Sequence, residues 1–586
     1  MDNSVDKSVD KVVDNLVNNS VDNLSDTVEP IKKTWFMALA EHLTGLHTGQ
    51  SDLVNNQLKQ LIINLGEALN RGHTCYWLGD DPTQLAVVLD HPAVVDEPLA
   101  TDAPAPLVRA GDYLYFYRQW QQENRLAEQL TRILSADRTV ISQTDATPSP
   151  DPTANLQQQQ AINLAAQQAF SLITGGPGTG KTYTLVRIVK ALQQAQPDLR
   201  IALTAPTGKA AQRMQSVLDS AFKQSGVQSS HIQTAQTVHR LLGLGVNALP
   251  RYHAAAALPY DLIVLDEGSM LDLALASQLF DAIAPGSRLI ILGDADQLAA
   301  VDAGAVLADL QQTAALQPYQ VQLIQSQRFN ATQGIGQLAS AILKQDNSQF
   351  WQAFAKPENH AVLRHFNPQQ LSDQLVFDQL WQGFSAYSQA LVSQQALPQL
   401  FEAFNQYRIL TAMRAGRLGV ERINREMATR LQQTVSHSAG LAQWYQGRPV
   451  MMTRNDYGLR LSNGDIGLCL QDESGKWQVH FPDSGQCIAV SRLPLHDLTT
   501  AFALTIHKSQ GSEFNQVAVV LDVAAQELLS RELLYTAITR ARQQVDLWSD
   551  HAAADYALAH KLLRYTGLSR QLQKRLTEPH KLSEEI

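Results

Sequence analysis

The residues whose types and spacing carry the clearest chemistry are Gly175-Gly176-Pro177-Gly178-Thr179-Gly180-Lys181-Thr182. Glycines so spaced let successive backbone N–H groups converge on phosphate oxygens at the start of a helix. Lys181 is then placed to neutralise the β- and γ-phosphates and the Thr182 hydroxyl to ligate Mg²⁺, so ATP and Mg²⁺ are the expected cofactors. Asp266-Glu267 supplies the complementary chemistry, Asp266 holding the Mg²⁺ shell and Glu267 polarising the attacking water. An acidic pair alone reads more readily as a solvated turn; beside the upstream loop the catalytic reading prevails. Gly293-Asp294-Ala295-Asp296-Gln297-Leu298 adds Gln297, placed to sense the γ-phosphate or its attacking water.

Each of these segments follows a short apolar run, at 171–174, 262–265 and 288–292. Further runs at 201–204 and 321–324, with helical patterns between them, predict a mostly parallel sheet covered by helices on both faces. Strand ends in such a sheet face the crevice where ligands bind. A second set at 407–411, 502–506, 517–521 and 545–548 predicts another sheet, so the fold class is α/β. Between them, 446–495 reads as a small all-β insert, with turns at Asn463-Gly464, Ser474-Gly475 and Ser484-Gly485. Residues 31–141 read as mostly helical, with a strand in the aromatic stretch 111–120 leading into a helix that carries Glu123 and Arg125. Residues 1–30, a Ser-Val-Asp repeat without aromatics, read as a disordered tail, 142–153 as a linker and 571–586 as a C-terminal tail.

The charge balance, 46 basic against 56 acidic residues, gives a net charge of −10. That excludes a protein coating nucleic acid by bulk attraction, though it leaves room for a local basic groove. From Arg408 to Arg460 there are nine arginines and three acidic residues, which fits such a groove and a solvated face about equally. Three scattered cysteines, Cys75, Cys469 and Cys487, supply no disulfide framework and no four-cysteine metal site. With no apolar run long enough to span a bilayer and no signal-peptide pattern, a soluble, cytoplasmic chain is expected.

The ordered set of segments resembles the superfamily 1 helicases, and most closely the RecD family, the alpha subunits of RecBCD (exodeoxyribonuclease V). Gln158, flanked by Gln157, Gln159 and Gln160, resembles the family's adenine-reading glutamine. Pro206-Thr207-Gly208-Lys209 and Thr237-Val238-His239-Arg240 resemble segments that touch the backbone of single-stranded DNA, with Thr237, His239 and Arg240 as contacts. For each of these a helix cap with an exposed cation is a competing reading. Ser326-Gln327-Arg328-Phe329 supplies Arg328. Thr505-Ile506-His507-Lys508-Ser509-Gln510-Gly511-Ser512-Glu513-Phe514 resembles the segment that meets both DNA (Thr505, His507, Lys508, Ser509) and ATP (Glu513). The segment 534–542 supplies Arg540. Arg328 and Arg540 resemble arginines that reach across the domain cleft to the γ-phosphate. Gly268 and Gln327 depart from the family pattern, which carries alanine and tyrosine there.

The resemblance implies two tandem RecA-like P-loop domains, at 154–325 and at 326–445 with 496–570, an N-terminal partner-docking domain at 31–141, an SH3-like insert at 446–495, and a hairpin wedge at about 241–260. It implies a 5′→3′ DNA helicase acting on single-stranded and end-containing duplex DNA, beside RecB-like and RecC-like subunits, in the repair of double-strand breaks. No nuclease carboxylate cluster is evident, so nuclease activity is expected in a partner. A free-standing RecD-like helicase and a nucleotide-gated scaffold that does not unwind DNA stand as the alternatives.

Overall fold

The computed structural model describes residues 25–46, 50–79, 89–135, 154–225, 231–244, 249–325, 334–436, 443–456 and 458–577. It divides into two compact units. The smaller holds the chain up to Arg125 together with Asp302–Gly304 and Arg564–Gln571; the rest forms the larger.

In the smaller unit, helices Ser25–Gly45 and Asp52–Asn70 accompany a four-stranded sheet. Its strands are β1 (Tyr76–Trp77), β2 (Val94–Asp96), β3 (Leu107–Ala110) and β4 (Tyr113–Phe116), in the order β1-β4-β3-β2. The expected strand-to-helix passage is present as β4 followed by the helix starting at Tyr117. Strands β1 and β2 carry no signature in the sequence, because runs of two and three residues are too short to show a period. The segment Arg564–Gln571 completes this unit: Tyr565 stacks on His73, and the Gly567 N–H donates to the fully buried Glu123 carboxylate. Burial pushes the Glu123 carboxyl up to about 7.

The larger unit contains three sheets. The first comprises β5 (Phe170–Gly175), β6 (Ile201–Ala205), β7 (Gln236–Thr237), β8 (Leu262–Leu265), β9 (Arg288–Gly293) and β10 (Gln320–Leu323). Their order is β10-β5-β9-β8-β6-β7, and every pairing is parallel. Every residue of β5, β6, β8 and β9 is buried, which is why these strands read as continuous apolar runs. Helix Lys181–Ala195 buries Leu185, Ile188, Val189 and Leu192 in the same core, each such side chain contributing about 1.5–3 kcal/mol.

The second sheet contains β11 (Leu363–Phe366) and β12 (Tyr407–Thr411). The chain then leaves it for β13 (Arg448–Met452), β14 (Ile466–Gln471), β15 (Trp477–Phe481), β16 (Gln486–Ala489) and β17 (Leu498–Thr500). It returns through β18 (Ala503–Thr505), β19 (Phe514–Val520) and β20 (Ala541–Trp548). The second sheet runs β11-β20-β19-β12-β18, again all parallel. The insert is a five-stranded antiparallel sheet, β16-β15-β14-β13-β17, whose turns use the positive φ of Gly475 and Gly485.

Several boundaries differ from expectation. The insert extends to Thr500, because the three-residue β17 pairs back onto β13. A helix already begins at Ser25, inside the segment read as a tail, and the last helix runs Leu568–Thr577. Within 241–260 the described residues form no hairpin ladder, only the bridge His253↔Ala256. The linker 142–153 lies outside the described residues.

Candidate functional site

Strand β5 ends at Gly175, and its C-terminal neighbours turn directly into helix Lys181–Ala195. Gly178 and Gly180 hold φ of 76° and 86°, a backbone that L side chains rarely adopt. At Gly175 an added Cβ would stand 2.7 Å from the Leu323 carbonyl oxygen on β10. Thr179 Oγ1 donates to the Gly176 carbonyl at 2.8 Å, and Lys181 Nζ donates to the Gly175 and Gly176 carbonyls at 2.5 and 3.2 Å. The result is a pre-shaped anion cradle at a helix N-terminus with its cation already at the loop.

The acidic pair sits at the end of β8. Asp266 is buried and its Oδ1 accepts the Glu267 N–H at 2.9 Å. Burial, reinforced by the Glu267 charge, raises the Asp266 carboxyl above its ordinary range, while Lys181 pulls the other way. Glu267 has φ 53°, ψ 43°, a left-handed conformation that costs a non-glycine residue about 1–3 kcal/mol and recurs at functional sites. Gly268 is explained by packing, since a Cβ there would meet the Ile291 side chain at 2.8 Å.

At the end of β9, Asp294 is buried and pushed up to about 6, chiefly by burial, with Lys181 again opposing. Gln297 Nε2 donates to Asp294 Oδ2 at 3.0 Å, and the buried Gln297 Oε1 accepts no hydrogen bond. Residues from the second sheet domain reach this strand end. The Tyr535 hydroxyl donates to Asp294 Oδ2 at 3.3 Å, and a Cβ on Gly176 would lie 2.9 Å from that hydroxyl. The Leu298 N–H donates to Thr536 Oγ1 at 2.8 Å, and Gln510 Nε2 donates to the Leu298 carbonyl at 2.6 Å. Sequence reasoning misses Tyr535, Thr536 and Gln510 as individual residues. Their only signal is membership of the segments 505–514 and 534–542.

Gln158 is the glutamine that reaches the loop: its Nε2 lies 3.0 Å from the position of a Cβ on Gly180. Gln157 instead accepts the Ile324 N–H, and Gln159 donates to Asn163. Arg540 is buried within the second domain, donating to the Thr536 and Ser512 carbonyls at 3.2 Å, rather than extended to the phosphate loop. Glu513 meets Arg213, which also faces Glu267 and Asp266. It accepts Arg213 at 2.7 Å and Arg542 at 3.1 Å, and so ties the helix Gly208–Ser225 to the second domain. Arg328 lies outside the described residues.

The segments expected to contact DNA converge in part. Thr207 Oγ1 caps the Ala210 N–H, and a Cβ on Gly511 would stand 3.6 Å from both Thr207 Oγ1 and Ala210. Gly208 abuts Ser462 of the insert, leaving only 2.8 Å for a Cβ. Lys209 Nζ sits 5.9 Å from the Phe514 ring, half-buried, with Pro206 half-buried three residues earlier. Thr237 Oγ1 accepts the Arg240 N–H, with His239 and Arg240 exposed. Thr505 Oγ1 accepts the Lys508 N–H, and His507 and Lys508 are half-buried. Ser509 turns inward: it is fully buried and its hydroxyl donates to the Ile506 carbonyl, which removes it as a side-chain contact to DNA. Nor do the arginines after 408 form a basic face throughout. Arg408 is buried over the Phe404 ring, Arg417 and Arg422 pair with Asp373, and Arg430 pairs with Asp378 and Glu426.

Residues 158–303 match the family described as AAA domain, and residues 500–548 match the UvrD-like helicase C-terminal domain. The RecBCD enzyme subunit RecD of Haemophilus influenzae is 34% identical over 549 residues, covering 82% of this chain and 83% of the relative. That of Mycolicibacterium smegmatis is 36% identical over 484 residues, covering 80% and 84%. The ATP-dependent RecD2 DNA helicase of Deinococcus radiodurans is 33% identical over 393 residues, covering 66% of this chain and 48% of the relative. A phosphate loop and acidic pair on one parallel sheet, hydrogen-bonded at a third strand end to a second parallel-sheet domain, together with these relatives, make the chain an ATP-dependent DNA helicase. The chain belongs to the RecD family, and its motor is of the RecBCD type.

Proposed function

We propose that the chain is a 5′→3′ translocating motor that works beside RecB-like and RecC-like subunits in processing DNA ends for recombinational repair. In this reading Lys181 and the loop N–H groups bind the β- and γ-phosphates, and Thr182 and Asp266 hold Mg²⁺. Mg²⁺ supplies charge neutralisation across the phosphate chain when bound. Glu267 accepts a hydrogen bond from the attacking water and Gln297 orients it; Arg328 and Arg540 approach from the second domain when the cleft closes.

The observation that supports this reading best is the triple tie of the β9 end to Gln510, Tyr535 and Thr536. Nucleotide chemistry at Lys181 and Asp294 is thereby one hydrogen bond away from the second domain, whose segment 505–514 also packs on 207–210. A change at the phosphate loop therefore has a direct route to the segments proposed to hold DNA. The five-stranded insert touching Gly208 fits an SH3-like accessory element that lines the same groove. Measuring ATP turnover with and without single-stranded DNA tests the coupling. The motor reading expects a rise of at least about tenfold, and unchanged turnover would favour a scaffold.

A further inference from the structure

The first turns of the helix Gly208–Ser225 meet segment 511–514 of the second motor domain along one seam. A Cβ on Gly511 would stand 3.6 Å from Thr207 Oγ1 and from the Ala210 side chain. Lys209 Nζ lies 5.9 Å from the Phe514 ring. One turn on from Lys209, on the same helix face, Arg213 Nη2 donates to Glu513 Oε1 at 2.7 Å. The Glu513 side chain is 12% exposed, and its Oε2 accepts Arg542 Nε at 3.1 Å. One sheltered carboxylate is thus divided between a cation of each domain.

The same helix starts beside the acidic pair. Strands β6 and β8 are paired in parallel, and the Asp266 N–H donates to the Thr204 carbonyl at 2.9 Å. Arg213 faces Asp266 and Glu267 as well as Glu513. Burial and the Glu267 charge push the Asp266 carboxyl up, and Arg213 opposes them, as does Lys181. When ATP is bound Lys181 turns to the β- and γ-phosphates, which leaves Arg213 with the pair. A tie between domains needs one partner carboxylate; Arg213 faces three, two of them proposed to act on Mg²⁺ and water. We infer that Arg213 is a positioning residue for hydrolysis, its charge divided between Glu513 on the second domain and the acidic pair on the first. The place of segment 505–514 then sets how Glu267 is held, because a guanidinium can meet carboxylates along more than one edge. This inference rests on the motor reading and deepens it: a shift of Glu513 when segment 505–514 takes up DNA reaches Glu267 through one side chain.

The test is steady-state ATP turnover by the full chain at saturating single-stranded DNA. Arg213→Met keeps an unbranched stem and removes the charge; kcat should fall at least about tenfold while KM for ATP moves by less than about twofold. Arg213→Lys restores a cation and should recover at least about a third of the wild-type kcat. Glu513→Gln added to Arg213→Met should lower kcat by less than about twofold more, since both changes act on one pair. A kcat for Arg213→Met within about twofold of wild type would overturn the inference. So would a loss carried by KM, an equal loss in Arg213→Lys, or a double variant whose loss is the product of the two single ones. A wild-type chain that hydrolyses no ATP would overturn the reading of the site itself, and this inference with it.

Discussion

The Tyr535 hydroxyl and the Asp294 carboxylate meet at 3.3 Å across the two motor domains, with Gly176 of the phosphate loop beneath the same hydroxyl. Asp294 also faces Lys181 and holds Gln297. One phenol therefore touches the loop, the third strand end and, through its neighbour Thr536, the Leu298 N–H. Groups that share a buried network of this kind act together, and removing one changes the rest by more than its own bond.

Tyr535→Phe keeps the ring and deletes the donor. Stimulation of ATP turnover by single-stranded DNA is expected to fall about tenfold, while nucleotide binding shifts by less than about twofold. Steady-state kinetics with and without DNA check this; stimulation equal to wild type would remove Tyr535 from the coupling route.

At Glu267, function and backbone strain coincide. Glu267→Gln should bind ATP yet hydrolyse it at least about 100-fold more slowly. Glu267→Gly should be equally inactive but more stable by about 1 kcal/mol, because glycine accepts φ 53° without penalty. Thermal melts of the three proteins decide it: equal melting of Glu267→Gly and wild type would mean that the left-handed backbone costs nothing.

Asp294 gives a pH signature. Its folded carboxyl is raised to about 6, above the ordinary 3.8. The native state therefore holds a proton that the unfolded chain has released between roughly pH 4 and 6, and stability falls as pH rises through that window. Above it the penalty of the buried charge is fully present, on the order of 1–3 kcal/mol. Asp294→Asn should melt higher than wild type at about pH 7 to 8, with the gap closing towards about pH 4. Parallel melting curves across the range would contradict this.

Arg240 is exposed in the short helix capped by Thr237, and a DNA phosphate is its proposed partner. Arg240→Ala should weaken binding of single-stranded DNA without changing ATP affinity, and should reduce the slope of log affinity against log salt by about one. An unchanged slope would assign Arg240 to the surface alone.

Much of this site is legible in the amino-acid sequence. Strands β5, β6, β8 and β9 are continuous apolar runs because both faces are covered, and the chemistry follows immediately at their ends. What the sequence does not reveal is pairing between distant segments. Tyr535 lies 241 residues from Asp294, and Glu513 lies 300 residues from Arg213. No local periodicity encodes such contacts, so the Glu513–Arg213 pair and the place of Tyr535 carry no signal of their own. Ser509 shows the converse: a polar residue in a segment expected to bind DNA is turned inward by the short turn His507–Ser509. Strands β1 and β2 of the smaller unit escape notice because two and three residues are fewer than the pattern that identifies strands.

The central claim is that chemistry at Lys181 drives movement along DNA with fixed direction. Strand displacement on two partial duplexes, one with a 5′ tail and one with a 3′ tail, tests it most directly. ATP-dependent unwinding of the 5′-tailed duplex only is expected, abolished in Lys181→Gln with the fold intact. Unwinding of the 3′-tailed duplex alone, or unwinding that survives Lys181→Gln, would contradict it.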